Sequence, residues 1–117
     1  MSLIANIRDD EEGGVPIVVV EGEIDASNSP EINARLQDAL SNQGMSLIVD
    51  LTETTYIDSA GINVLFKLGR ELHDRQQQLH LVVAASSPIA RMVAIVGLNE
   101  AVPTHPTRDV ALAAAVS

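Results

Sequence analysis

Two adjacent polar residues, Asp58 and Ser59, are the part of this sequence most able to take part in chemistry. They stand between a polar segment and apolar residues at helical spacing, so Ser59 is expected at the start of a helix. A serine in that place can cap the helix, act as a catalytic nucleophile, or be the target of a modifying enzyme. Capping by Asp58 or Ser59, worth about 1 kcal/mol, is the simplest of these interpretations.

A catalytic role for Ser59 would need a general base within hydrogen-bond reach. The chain has three histidines. His73 lies on the same predicted helix, more than about 20 Å from its start, while His80 begins a predicted strand and His105 lies in a late loop. Ile57 stands where the G-x-S-x-G motif of a nucleophile elbow has its first glycine. We therefore expect no catalytic residue and no enzymatic activity.

Metal and phosphate sites also lack their usual residues. The three histidines do not have the spacing of metal ligands, and the carboxylates of RDDEEGG, residues 8–14, are typical of a solvated turn. Gly13 and Gly14 are not followed by the Lys-Ser/Thr pair of a phosphate-binding loop. We expect no metal and no cofactor.

Composition narrows the possible partners and the location. A chain of 117 residues predicts one domain over residues 1–117. The formal net charge of −9 and the near absence of aromatic residues argue against binding nucleic acid or an anionic membrane. The sequence has no cysteine, no signal-peptide pattern and no run of roughly 20 apolar residues, which favours a cytoplasmic location.

Five strands are predicted from β-branched and apolar runs. They cover residues 3–8, 15–20, 45–51, 79–84 and 101–104. A charged turn is predicted at residues 9–14, between the first two strands, and a loop at residues 52–58, between the third strand and the helix that begins at Ser59.

Four helices are predicted between and after these strands. The first has Pro30 in its first turn and is stopped by Gly44. The others cover residues 59–76 and 87–97 and the segment that follows Thr107, a capping residue.

The order β-β-α-β-α-β-α-β-α predicts an α/β fold. We expect a mixed, largely parallel sheet of about four to five strands, packed against about four helices. In such sheets, ligands and chemistry gather at the carboxyl ends of strands and at the helix N-termini that follow them. Ser59 is predicted to lie at such a place.

Three segments together resemble a STAS domain, and more narrowly the bacterial anti-sigma-factor antagonists. They are EGEIDASNSP (residues 21–30), LIVDLTETTYIDSAGINVL (residues 47–65) and VGLNEAVPTHPTRDVALAA (residues 96–114). The resemblance extends from the strand at Val15 to the C-terminal helix. It implies a STAS-type fold.

The resemblance also implies a partner-switching function. In that family, the serine directly after the aspartate is phosphorylated by the anti-sigma factor, an ATP-dependent serine kinase, and this position is Ser59 here. The unphosphorylated antagonist binds the anti-sigma factor and frees the sigma factor, and a serine phosphatase resets the cycle.

The same resemblance implies a set of partner-binding residues. The acidic residue that closes the second strand in the family matches Asp25. Ala60 replaces a common serine or threonine, and Asn63 stands where a second glycine is usual, on the helix face that a partner would touch. The expected partner-binding residues are Asp25, Asp58, Ser59, Ala60, Gly61, Asn63 and Lys67.

Two alternatives from other classes remain open at this point. One is a STAS scaffold or transport-accessory subunit that binds a partner protein without phosphorylation. The other is a small nucleotide-binding or hydrolytic α/β enzyme, which the sequence favours less because it lacks a base and a phosphate loop.

Overall fold

The centre of the fold is a short strand, β3 (Ser46–Asp50), in which every residue is buried. The computed structural model describes residues 5–40 and 44–116. β3 lies between β2 (Val15–Ile24) and β5 (Gln78–Val82) and is parallel to both. A strand buried on both faces needs a continuous apolar sequence, and residues 47–49 supply it.

The first two strands form a hairpin at one edge of the sheet. β1 (Ala5–Glu12) pairs with β2 in antiparallel register, and the turn is made by Gly13 and Gly14 at φ values of 57° and 80°. Positive φ at both turn residues suits the twist of a two-residue hairpin. The predicted turn at residues 9–14 was therefore too long, because strand pairing continues through the acidic residues. Residues 3 and 4 of the predicted strand lie outside the described residues.

One strand was missed inside the segment predicted as a loop. β4 (Thr54–Ile57) pairs in parallel with the end of β2, where Gly22 marks a shift in register. Thr54 is buried, and its Oγ1 donates a hydrogen bond to the carbonyl of Val20 at 2.7 Å. This long-range contact holds the segment in the sheet. The segment is only four residues long, which is short for a strand pattern to be recognised, although its threonine, tyrosine and isoleucine residues favour strands.

The described residues thus form one sheet of six strands, rather than four to five. Its order is β1-β2-β3-β5-β6, with β4 paired to β2 beside this path. The last strand, β6 (Thr104–His105), is parallel to β5 and lies later in the chain than the predicted strand at residues 101–104. The predicted α/β class with a mixed, largely parallel sheet is confirmed.

Five helices, rather than four, are found in the described residues. The helix predicted at residues 87–97 is found as a shorter helix that ends before Gly97, as expected, because Gly97 adopts a left-handed conformation at φ 76°. The additional helix follows Gly97 and was not predicted. The first helix ends at Ala39, before Gly44, and residues 41–43 lie outside the described residues. The helices are α1 (Ser29–Ala39), α2 (Ser59–Asp74), α3 (Ala90–Ile95), α4 (Leu98–Ala101) and α5 (Arg108–Ala115).

The alternating side chains of the strands divide the core into two layers. On one face of the sheet, Val18 and Val49 belong to a cluster that also holds buried residues of α1 to α4. On the other face, Ile17 and Ile48 pack with Ala111 of α5. This period-two alternation fixes α2 on the larger face, where Leu65, Leu68 and Leu72 are buried along it.

A single arginine joins α5 to the sheet. Arg108 donates to Asp10 at 2.9 Å and Glu12 at 3.0 Å on β1, and to the buried Asp50 at the end of β3 at 3.1 Å. Thr107 caps the same helix, since its Oγ1 accepts from the Val110 amide, as the sequence predicted.

We predict that Arg108→Met destabilises the fold by about 1–3 kcal/mol, because it leaves the Asp50 carboxylate buried without its cation. Adding Asp50→Asn should recover part of that loss by removing the uncompensated charge. Urea unfolding would measure both, with Arg91→Met as the matched control at an exposed arginine. Equal stability of Arg108→Met and the control would contradict the role given to this ion cluster.

Candidate functional site

The start of α2 is capped by Asp58. Its backbone is extended, and its Oδ1 accepts hydrogen bonds from the amides of Ala60 at 2.9 Å and Gly61 at 3.1 Å. These are two of the amides at a helix N-terminus that have no partner within the helix. Asp58 therefore satisfies the helix end, and the position after it begins the helix.

Ser59 is left exposed as the first residue of α2. Within residues 5–40 and 44–116, no hydrogen bond is found for its hydroxyl. Of the two residues that could have capped the helix, Asp58 does so. The Ser59 hydroxyl therefore makes no structural hydrogen bond in the described part of the chain, and it is accessible from solvent.

The second oxygen of Asp58 ties α2 to the loop that follows β2. Its Oδ2 accepts from the amide of Ala26 at 3.2 Å, and the Asp58 amide donates to the carbonyl of Ile24 at 3.1 Å. One carboxylate thus joins the start of α2 to the segment between β2 and α1. The hydrogen bond between the Ala26 amide and Asp58 was not predicted, because every residue has a backbone amide and its distant partner cannot be identified from the sequence.

Asp25 organises that same loop. Its Oδ1 accepts from the amide of Ser27 at 2.9 Å and from the Ser27 hydroxyl at 2.6 Å, and its own amide donates to Asn28 Oδ1 at 2.9 Å. The hydrogen bond from the Ser27 hydroxyl is the main cause of the lowered pKa of Asp25. Asp25 is therefore a charged residue with a fixed position beside the segment that contacts Asp58.

Three of the expected partner-binding residues lie along one groove. Ala60, Asn63 and Lys67 line a cavity of about 240 Å³ between the first turns of α2 and α1, together with Ser29 and Pro30. Asn63 and Lys67 are exposed, as expected for an outer helix face.

Asn33 of α1 lines this groove too and was not among the expected residues. Its Oδ1 is buried and has no hydrogen-bond partner in the described residues. The sequence held no signal for it, because the approach of α1 to α2 is a tertiary contact.

Gly61 has a different role from its expected companions. It is buried, and a Cβ atom there would lie 2.6 Å from Ile24 Cγ2 and 2.8 Å from Ile57 Cγ1. Such distances are too short for carbon atoms that are not bonded. Gly61 therefore allows α2 to approach β2 and β4 closely, and it is not part of the exposed surface.

The histidines are remote from Ser59. His73, His80 and His105 all line a cavity at the other end of α2, and His73 is about 21 Å along the helix axis from Ser59 at 1.5 Å per residue. The nearest carboxylate, that of Asp58, is occupied by backbone amides. Among the described residues, none of the three histidines and no free carboxylate is therefore placed beside Ser59 to act as its base.

Two further tests concern metals and membranes. In the described part of the chain, no group of three or more histidine, aspartate or glutamate residues is placed to hold a metal ion. Over the same residues, no helix has the length and apolar character required to cross a membrane.

Comparisons with known proteins agree with the resemblance found in the three sequence segments. The model of the STAS domain family matches residues 6–111. The anti-sigma-B factor antagonist of Listeria monocytogenes is 34% identical to this chain over 83 residues, covering 71% of this chain and 72% of the Listeria protein.

Solved structures show the same fold. An anti-sigma factor antagonist from Mycobacterium paratuberculosis has a TM-score of 0.86 at 24% identity, covering 97% of this chain and 95% of that chain. The Bacillus cell fate determinant SpoIIAA in its phosphorylated form has a TM-score of 0.62 at 18% identity, covering 93% of this chain and 98% of that chain.

We predict that substitution of Asp58 lowers the stability of the fold and that substitution of Ser59 changes it little. Asp58→Ala should destabilise the fold by about 1–2 kcal/mol through loss of the cap. Ser59→Ala should change stability by less than about 0.5 kcal/mol. Ser59→Asp should change it by at most about 0.3–1 kcal/mol, because a carboxylate suits the first turn of a helix.

Urea unfolding with circular dichroism would test this pair of expectations. A large loss of helicity or stability in Ser59→Ala would mean that the hydroxyl has a structural role, and the capping interpretation of Ser59 would then be right.

Proposed function

We propose that phosphorylation of Ser59 controls the binding of this protein to an anti-sigma factor. The premise is that the chain belongs to the STAS-domain family and, within it, to the anti-sigma-factor antagonists. In the unphosphorylated state it binds an anti-sigma factor that is also a serine kinase, and the sigma factor is released. Phosphorylation of Ser59 by that kinase ends the interaction, and a serine phosphatase restores it. This cycle takes place in the cytoplasm.

The observation that carries the proposal is that Asp58 caps α2 while the hydroxyl of the adjacent Ser59 stays exposed and without a hydrogen bond in the described residues. Asp58 holds the helix end with its Oδ1 and the β2–α1 loop with its Oδ2. The adjacent Ser59 is exposed, so a kinase can reach its oxygen without opening the helix. In the proposed step, Ser59 Oγ attacks the γ-phosphorus of ATP, the bond to the β-phosphate breaks and ADP leaves. The partner kinase supplies the nucleotide and the base that removes the hydroxyl proton.

The fold is suited to carry the added charge. A phosphoserine brings about −1.5 to −2 charges at neutral pH. The helix dipole and the amides at a helix N-terminus favour negative charge there. We therefore expect the phosphorylated protein to keep its fold, as does the phosphorylated form of its structural neighbour SpoIIAA.

The phosphate is expected to weaken the binding free energy between this protein and its partner. A partner surface that fits a neutral hydroxyl would have to desolvate a dianion beside the Asp58 carboxylate, and like charges at an interface are unfavourable. Docking is thus switched by a local change of charge, without a change in shape.

The proposed docking surface surrounds Ser59. It takes in the β2–α1 loop at Asp25 and the outer side of the first turns of α2. Gly61 contributes indirectly, because its close packing sets the position of the helix start. The surface consists of Asp25, Asp58, Ser59, Ala60, Asn63 and Lys67.

We predict that Ser59 is the one residue phosphorylated by the anti-sigma-factor kinase of its host. Incubation with that kinase and ATP should add one phosphoryl group per chain, measured by intact mass and located by phosphopeptide mapping. Ser27→Ala is the matched control, because Ser27 is also exposed but its hydroxyl is hydrogen-bonded to Asp25. Label in Ser59→Ala, or label located on Ser86 or Ser87, would refute this assignment.

We predict that binding of the anti-sigma factor follows the charge at position 59. Ser59→Ala should bind at least as tightly as the wild type, whereas Ser59→Asp should lose about 1–3 kcal/mol of binding free energy. Titration calorimetry would measure these values. Equal affinities for wild type, Ser59→Ala and the phosphorylated protein would favour the alternative of a STAS scaffold that is not regulated at Ser59.

The same complex tests the helix face. Lys67→Glu should weaken binding mainly through a slower association rate that depends on salt concentration. Arg75→Glu makes the same charge change at the far, exposed end of α2 and should have little effect. Equal effects of the two variants would show that net charge, rather than this surface, governs association.

A further inference from the structure

The three histidines of the chain lie together at the end of α2 that is remote from Ser59. His73 of α2, His80 of β5 and His105 of β6 line one cavity of about 450 Å³. A second cavity of about 340 Å³ shares Gly69, His73 and Ala101 with the first and extends to Arg70. Because they share these lining residues, the two cavities form one groove between α2 and α4, called here the histidine groove.

Hydrogen bonds fix the protonation of the inner histidine. The Gln78 side-chain oxygen can only accept, so His80 Nε2 donates to it at 3.0 Å. In the neutral ring His80 Nδ1 is then an acceptor, and His105 Nε2 donates to it at 3.0 Å. Burial, and secondarily the neighbouring His105, lower the pKa of His80, which keeps this inner ring neutral.

The polar groups left over face the groove. Among the described residues, no hydrogen bond is found for His105 Nδ1 or for the ring of His73, which is exposed. Gln77 also lines the cavity, and its Oε1 is buried without a partner. The groove therefore offers polar groups that the fold itself does not use.

The charge of the groove is opposite to that of the protein. The chain has a formal net charge of −9, yet no aspartate or glutamate of the described residues lines either cavity. Arg70 stands at the outer end and supplies a fixed positive charge. The titratable groups that line the groove are Arg70 from α2 and the three histidines, while the lining residues of α4 and α5 are alanines.

The walls between these polar groups are apolar. Phe66, Leu79, Val102 and Pro103 line the two cavities. A volume of this size with apolar walls and a few polar groups is typical of sites for small molecules, which measure about 300–1,000 Å³.

We propose that the histidine groove is a binding site for a small organic anion with an apolar body, such as an aromatic carboxylate. The apolar body packs on the walls, and the anionic group is held by Arg70 and by a ring N–H of the exposed His73, which line the same end of the groove. The site is separate from Ser59 and does not depend on the partner-switching proposal.

Benzoate is a suitable probe, with benzamide as its neutral counterpart of the same shape. In NMR titrations of the isolated, isotope-labelled protein, benzoate should produce saturable amide shifts centred on Gly69, His73 and Ala101. Benzamide should bind at least about tenfold more weakly, because it lacks the charge.

Three variants test the assigned contacts. Arg70→Gln and His73→Phe should each weaken benzoate binding by about fivefold or more through loss of a donor to the carboxylate, while Arg91→Gln, an exposed arginine outside the groove, should leave it unchanged. Ala101→Asp puts a carboxylate on the exposed rim without altering the core, and it should abolish binding. This variant keeps the test valid if either of the first two variants alters the fold.

Three results would overturn the proposal. They are equal binding of benzoate and benzamide, amide shifts centred on the start of α2 or spread over the surface, and normal benzoate binding by Ala101→Asp.

Discussion

The architecture around Ser59 depends on one carboxylate with three hydrogen bonds. Asp58 accepts from two amides of α2 with one oxygen and from the Ala26 amide with the other. An aspartate that satisfies helix amides and a distant loop at the same time fixes the angle at which the helix leaves the sheet. Because Asp58 accepts these hydrogen bonds, Ser59 is not needed as a cap. The proposed switch needs both effects, since a kinase substrate must be positioned and free at once.

Close packing supports this arrangement from below. Gly61 brings the helix start against Ile24 and Ile57, and a side chain there would collide with both. β2 leads into the β2–α1 loop and β4 leads into α2, so Asp25 and Ser59 both follow the carboxyl ends of these two paired strands. In the proposed switch, a change of charge at this end of the sheet alters what can dock there, while the core beneath it stays the same.

The two ends of α2 have opposite electrostatic character. Ser59 lies at the N-terminal end, directly after the Asp58 carboxylate, where the proposed phosphate would add further negative charge. The histidine groove lies at the other end, where Arg70 and the histidines face no lining carboxylate of the described residues. The length of the helix separates the two surfaces, so a protein of this size can hold two independent sites.

The sequence by itself determined what depends on neighbours along the chain: the α/β class, the buried strand β3, the start of α2 at Ser59 and the cap at Thr107. These follow from side-chain periodicity and from hydrogen bonds over a few residues. Only the tertiary structure decided that residues 54–57 form a strand, that Asp58 alone caps α2, and that the three histidines meet in one groove. Each of these rests on contacts between segments far apart in sequence, which create burial and hydrogen-bond partners that no local pattern records.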